Sequence, residues 1–212
     1  MRLGVLSDVH ANAPALEATL SCLDAIGVDM LVHAGDVVGY NPYPNEVINL
    51  LIDYDVHSIR GNHDQVVIDG PSDAYGEEFE AMIVWTREHL DENSVTYLEG
   101  LPHELVLLDG YVRVVHGSPA DPDEYIHAAD VSEDLLGDET VLIHGHTHYQ
   151  SLASFRSGLV FNPGSVGQSR DFSSLASFAL LDVDTTSVQF QRVAYAVDDV
   201  KRRIQQAGLP IF

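Results

Sequence analysis

Eight residues of this chain share a ligand-type side chain and a recurring position. Asp8, His10, Asp36, Asn62, His63, His116, His146 and His148 each stand just after a short aliphatic run. Leu6 leads to Asp8 and His10, Val32 to Asp36, Ile59 to Asn62 and His63, Val115 to His116, and Ile143 to His146 and His148. Setting His63 aside, two aspartates, one asparagine oxygen and four imidazoles make a mixed nitrogen and oxygen donor set. Such a set suits first-row divalent ions, Mn2+ foremost with Fe, Co, Ni or Zn as alternatives, and suits calcium poorly. Cys22 is the lone cysteine, so thiolate sites are excluded. A carboxylate has two oxygens and can bridge two cations, as hydrolytic sites with metals about 3.5 to 4 Å apart require. Asp36 is the natural candidate for that bridge.

The elements before these residues must position them. Aliphatic and β-branched runs at 3–6, 30–32, 56–59, 112–115, 141–143, 159–161, 178–183 and 188–193 predict strands. Between the early runs lie amphipathic helices. One follows Asn12 and Pro14 with Leu16, Leu20, Leu23 and Ile26 on one face; another opens at Pro44 with Val47, Leu50 and Leu51. Residues 77–90 and 197–206 predict two more. The alternation implies an α/β fold, and the length suits one domain, 1–212. In α/β sheets functional groups collect beyond the carboxyl ends of strands, so ligands scattered in sequence can converge. Glycine adjoins nearly every candidate, at positions 35, 61, 117, 145 and 164, where turns tighten or backbones approach closely.

The motifs run in the order Asp8-Val9-His10, Gly35-Asp36, Gly61-Asn62-His63-Asp64, His116-Gly117 and Gly145-His146-Thr147-His148. In this set the sequence resembles the calcineurin-like metallophosphoesterases, and among them the small prokaryotic phosphodiesterase branch. Residues 35–44 (GDVVGYNPYP), 85–98 and 162–171 (NPGSVGQSRD) extend the resemblance over nearly the whole chain. It implies a four-layer αββα sandwich of two mixed β-sheets flanked by helices, with the site at one end. It implies that Asp8, His10 and His148 hold one metal, that Asn62, His116 and His146 hold the second, and that Asp36 bridges them. His63 would stay free of metal and protonate the leaving alkoxide or meet the phosphate, while a hydroxide bridging the metals attacks phosphorus. A histidine that titrates near neutrality suits such general-acid work.

Thirty-three acidic residues face ten basic ones, a formal charge of −23, and Lys201 is the only lysine. A surface of one sign repels itself, and about 1 M salt cuts the Debye length to roughly 3 Å and screens the repulsion. The composition resembles that of halophilic archaea; an acidic partner-binding surface is the alternative. No basic cluster exceeds Lys201-Arg202-Arg203, which disfavours dedicated nucleic-acid binding. A metal pair would reverse the local sign for a small phosphoester substrate. With no leader pattern at the start and no apolar run near the roughly 18 residues of a membrane span, a cytoplasmic, non-membrane protein is expected.

Arg170 is the candidate cation for substrate phosphate, a salt bridge to a neighbouring acid being its plainer role. Asp64 either orients His63 or is an exposed turn carboxylate. His33, His57, His89, His103, His127 and His144 match no motif. His33 and His144 are expected to be satisfied core imidazoles or partners behind the ligands. Residues 118–138, acidic with Pro119 and Pro122, read as a solvated loop with a short helix in preference to a lid. The expected function is hydrolysis of small phosphodiesters. A phosphomonoesterase, protein phosphatase or dinucleoside-polyphosphate phosphatase uses the same core, and the intact ligand set disfavours a non-catalytic scaffold.

Overall fold

The computed structural model describes residues 1–70 and 76–210. Strands β1 (Arg2–Leu6), β2 (Met30–His33), β3 (His57–Ser58), β9 (Ala176–Asp182) and β10 (Ser187–Val193) form one sheet, in the order β10-β9-β1-β2-β3. Strands β4 (Leu105–Leu107), β5 (Val112–Val114), β6 (Val141–Ile143), β7 (Gln150–Ser154) and β8 (Leu159–Pro163) form the other, in the order β4-β5-β6-β8-β7. Both sheets are mixed. β1, β2 and β3 run parallel in the first, and β5, β6 and β8 in the second.

Alternation along the strands sorts side chains into layers. Leu3 and Val5 of β1 and Ala179 and Leu181 of β9 meet Val112, Val114, Val141, Ile143, Leu159 and Phe161 between the sheets. Leu6, Phe178 and Leu180 point the other way, into the helices. β6 is apolar at three successive positions because both of its faces are covered. Burying a Leu or Phe here stabilises by about 1.5 to 3 kcal/mol. Phe161 and Phe178 are the bulkiest of these buried groups.

Helices α1 (Ala13–Ile26), α2 (Pro44–Asp53), α3 (Asn62–Asp69), α4 (Glu77–His89), α5 (Glu92–Gly100) and α6 (Val197–Ala207) all bury apolar residues in one cluster on the outer face of the first sheet. Asn12 starts α1 by accepting from Ala15 N at 3.2 Å. Over the second sheet the outer layer is thin. Val131, Leu135 and Leu136 pack on Val115, Leu142 and Val160, and a 3-10 turn at Glu133–Leu135 is the only helical piece there among the described residues.

Two strands and two helices escape the sequence pattern. β4 and β7 are edge strands whose side chains stay partly or fully exposed, so the apolar signal is weak and pairing to β5 and β8 creates them. α3 and α5 span only 8 and 9 residues and lack a repeating apolar face. No helix among the described residues is long and apolar enough to cross a membrane.

Candidate metal centre

Parallel strands send their C-terminal ends to the same edge, and the loops leaving β1, β2, β5, β6 and β8 bond to one another there. Asp8 N donates to Gly35 O at 3.0 Å, His10 N to Asp36 O at 2.9 Å, Gly145 N to His116 O at 2.8 Å and Gly167 N to Asp8 O at 3.0 Å. The two sheets are thus stitched together at the site. Asp8, His10, Asp36, His146 and His148 all have positive φ, between 47° and 66°. Such backbone costs of order 1 to 3 kcal/mol at a non-glycine residue, and it persists where surrounding structure enforces it.

Asp8, His10, Asp36 and His148 each offer a ligand atom within 4.8 Å of the others, and Asp36, His116 and His146 do the same. Asp36 belongs to both groups. Its Oδ2 lies 3.6 Å from His10 Nε2 and 3.3 Å from His116 Nε2, while His116 Nε2 is 3.0 Å from Asn62 Oδ1. His148 Nε2 sits 3.4 Å from Asp8 Oδ1 and 3.1 Å from His10 Nε2. Six of these seven residues are buried, and Asn62 partly so.

The far side of each ring shows what the near side must be. His10 Nδ1 donates to Val38 O at 3.2 Å, His148 Nδ1 to Gln168 O at 2.5 Å, His116 Nδ1 to Ala34 O at 2.8 Å and His146 Nε2 to Asp123 O at 3.2 Å. A carbonyl only accepts, so each of those nitrogens carries the proton, and in the neutral ring the inward nitrogen presents a lone pair. Lone pairs and carboxylate oxygens this close repel one another unless cations lie among them. Backbone carbonyls that fix the tautomer are the usual support for metal-ligating histidines. The residues fit two first-row divalent ions.

Charge follows the same logic. Burial opposes ionisation of Asp8 and Asp36, but the imidazoles of His148 and His116 respectively outweigh it and hold both carboxyls below the ordinary range. Burial also opposes charge on His116, and there the Asp36 carboxylate prevails, lifting the ring up to about 10. In the metal-free protein a proton on His116 supplies part of the missing positive charge.

His63 is present but outside both ligand groups. Its backbone N donates to Asp36 Oδ1 at 2.9 Å, and its ring sits 4.6 Å from those of His10 and Tyr40 and 5.1 Å from Phe79. Nδ1 has no hydrogen-bond partner among the described residues. Burial pushes the ring down to about 4, so it is uncharged at neutral pH instead of titrating there. Gly39, with φ +99°, leaves room for it: a Cβ at that position would lie 2.6 Å from His63 Nδ1. A Cβ on Gly61 would fall 2.1 Å from Asp36 Oδ1.

The model of the calcineurin-like phosphoesterase superfamily domain matches residues 1–186. The chain belongs to the calcineurin-like phosphoesterase superfamily. The crystal structure of a metallophosphoesterase from Sphaerobacter thermophilus is 36% identical, with a TM-score of 0.83 over 99% of this chain and 95% of that one. A hypothetical protein from Pyrococcus horikoshii OT3 superposes with a TM-score of 0.88 at 27% identity, covering 99% and 94% of the two chains. Phosphodiesterase YfcE of Escherichia coli K12 is 27% identical over 89% of this chain and 91% of its own.

Several parts of this metallophosphoesterase's site were not legible, or were read differently, in its sequence. Asp64 is neither exposed nor bonded to the His63 ring. It is fully buried and accepts from Gly61 N at 2.9 Å, Val38 N at 3.0 Å, Asp36 N at 3.1 Å and Val37 N at 3.2 Å, clamping the Asp36 loop to the start of α3. Burial and the charge of Asp36 raise it to about 7 against the pull of those donors. His33 and His144 are buried but not satisfied. Neither nitrogen of His33 nor Nε2 of His144 has a partner among the described residues, and burial pushes both rings down to about 4.

Asn162 holds the turn that carries His146, donating to Gly145 O at 2.6 Å and Thr147 Oγ1 at 3.1 Å, and Ser165 Oγ donates to Asp8 O at 2.7 Å. The Asn162-Pro163-Gly164-Ser165 motif was the available signal. Residues 118–138 reach the metallophosphoesterase centre itself: beyond the Asp123 carbonyl, the Tyr125 ring lies 4.0 Å from that of His146. Arg170 is partly buried, with its side chain beside Tyr125 and Tyr40, and makes no ion pair among the described residues. His57, His89, His103 and His127 contribute no atom to either ligand group.

Proposed function

We propose that this metallophosphoesterase hydrolyses small phosphodiesters at a pair of divalent metal ions. The observation that carries the reading is Asp36, whose carboxylate belongs at once to the group of Asp8, His10 and His148 and to that of His116 and His146. Asn62 adds an oxygen beside His116. Mn2+ is the expected ion. Ions held there would supply a solvent nucleophile acidified toward neutrality and positive charge to offset the phosphoryl oxygens.

The chain's own residues do the rest. Asp8 and Asp36, kept ionised, bring the negative charge that makes cations stable in a buried site. His63, neutral and outside both ligand groups, donates a hydrogen bond toward the leaving oxygen or a phosphoryl oxygen. Arg170, held beside the centre by Tyr40 and Tyr125 and close enough to feel the charge of Asp8, binds the phosphate. Arg170→Ala should raise KM roughly tenfold or more, the loss of one charge-assisted hydrogen bond worth about 1.5 to 3 kcal/mol. An acidic surface elsewhere favours small substrates over polynucleotides.

The test compares bis-p-nitrophenyl phosphate with p-nitrophenyl phosphate in concentrated KCl with added Mn2+, with metal content measured on the same samples. Faster diester turnover with two ions per chain is expected. Faster monoester turnover would overturn the diester assignment. Fewer than two bound ions together with no hydrolysis would overturn the enzymatic one.

A further inference from the structure

Two edge strands close one side of the sandwich. β7 ends the second sheet and β10 the first, and Gln150 ties them, its Nε2 donating to Gln191 O at 3.1 Å and its Oε1 accepting from Arg192 Nε at 3.1 Å. No strand among the described residues pairs with the outer side of β7. The register fixes which of its groups face outward. Phe155 N donates to Gly158 O at 2.7 Å, and this pairing recurs at every second residue. Ala153 and Ser151 therefore bond to β8, while Gln150, Leu152 and Ser154 turn their N–H and C=O groups to the free edge. Such an edge invites another strand, and sheets blunt it with charge. Charge is missing here. Thirty-three of the 212 residues are acidic, yet none lies in 140–170, which holds β7, or in 185–197, which holds β10. The opposite side differs: Asp53 and Asp55 flank β3, and Glu104 and Asp109 flank β4. On the acid-free side Tyr149 and Leu152 are each 43% exposed and Phe172 wholly so. Tyr149 Oη donates to Arg170 O at 2.9 Å, which sets Phe172 near the start of β7.

We propose that this side is the interface of a symmetric dimer in which β7 of two copies of the chain pair antiparallel about Leu152, joining their second sheets into one. A chain of charge −23 repels its own copy over most of its surface, and the acid-free side is where two copies approach with least repulsion. Other partners fit it less well. A basic protein is drawn to the acidic surface elsewhere. A polyanion or anionic membrane finds little free positive charge, because Arg192 is paired with Asp171 and Arg170 stands at the metal centre. Antiparallel pairing satisfies a two-fold axis, each Leu152 N–H meeting the Leu152 C=O of the other copy. A five-residue edge is small against the roughly 800 Å² per partner of a stable complex. Tyr149, Phe172 and the adjoining edge of β10 extend it.

Sedimentation equilibrium of the full chain in about 2 M KCl, where the repulsion is screened, should show a monomer–dimer equilibrium across a dilution series. Leu152→Asp puts an acid on the edge, and Leu152→Pro removes an N–H that β8 does not use. Each should weaken association about tenfold or more. Phe172→Ser, outside the strand, should weaken it as well. Circular dichroism checks that the variants fold. In the wild-type dimer the amides of Leu152 and Ser154 should exchange with heavy water about tenfold more slowly than in the diluted monomer, while those of Ser151 and Ala153 stay slow in both. A chain that remains monomeric throughout, or a dimer that survives substitution of both Leu152 and Phe172, would overturn the interface. So would edge amides that exchange alike in dimer and monomer, and that measurement decides if neither Leu152 variant folds.

Discussion

His10 and His148, 138 positions apart in the chain, face each other with their Nε2 atoms 3.1 Å apart, and in their neutral forms neither nitrogen has a proton to give the other. Both rings spend their Nδ1 proton on a backbone carbonyl. The repulsion this sets up, with Asp8 and Asp36 alongside, would be relieved by a cation between them. The same relationship makes the centre's response to metal measurable.

Metal loading should stabilise the protein and release protons. His116, raised to about 10 beside Asp36 in the metal-free protein, must give up its Nε2 proton to become a ligand. Titrating Mn2+ into chelated protein at pH 8, with calorimetry in two buffers of different ionisation heat, should show about one proton released per chain. Unfolding free energy should rise by about 2.7 kcal/mol at a hundredfold excess over Kd. Metal uptake without proton release would contradict the assignment of His116.

Asp64→Asn should loosen the Asp36 loop without touching a ligand. The amide keeps one oxygen and turns the other into a donor that faces backbone N–H groups, so bonds to Gly61, Asp36 or Val37 are lost. The cost should be about 1 to 3 kcal/mol in denaturant unfolding, together with weaker metal binding. A variant with wild-type stability and metal content would show that the clamp is dispensable.

Gly39→Ala should separate turnover from metal binding. The added Cβ meets His63 Nδ1 and the backbone sits at φ +99°, so the His63 ring must move. Two ions per chain should remain while kcat falls, as it should for His63→Ala. Undiminished kcat in both would remove His63 from the chemistry. Asp36→Ala, in contrast, should abolish the paired site and activity together.

Acid should destabilise the metal-free fold from about pH 6.5 downward. His33, His63 and His144, buried and pushed down to about 4, stay neutral in the folded state while the unfolded chain takes up protons below the ordinary histidine value of about 6.5. Their contribution is therefore intact above pH 6.5 and lost as the pH falls toward 4. Asp64, raised to about 7, runs the other way over the same window but is one group against five, since burial lowers His10 and His146 as well. His116 does not vary there, since its stabilisation is complete below 6.5 and fades only as pH rises toward 10. Guanidinium midpoints measured between pH 7.5 and 4.5 should fall steadily; a flat profile would mean that these rings reach water.

Stability should also rise with salt. A formal charge of −23 repels itself across the surface, and raising KCl from about 0.1 M to about 2 M shortens the Debye length from about 10 Å to under 3 Å. A melting temperature that stays level or drops over that range would argue for an acidic surface with another purpose.

By itself the sequence determined the alternation of strands and helices and the ligand chemistry, because burial on a strand has period two and metal ligands come from a short menu of side chains. Asp8, His10, Asp36, Asn62, His116, His146 and His148 could be named as candidate ligands for that reason, and Gly61 was visible as a residue awaiting a cause. Edge strands β4 and β7 and the short helices α3 and α5 were not, since pairing and packing with distant segments define them. Only the tertiary structure could decide that one carboxylate belongs to two groups able to hold a metal, that five of these candidate ligands sit at positive φ, and that Asp64 clamps a loop instead of lying exposed. Each of these depends on which chain ends the parallel strands bring to one edge. The neutrality of His63 was decided in the same way. A histidine titrates near neutrality in water, and only the rings of His10, Tyr40 and Phe79 packed around it exclude the water that would keep it so.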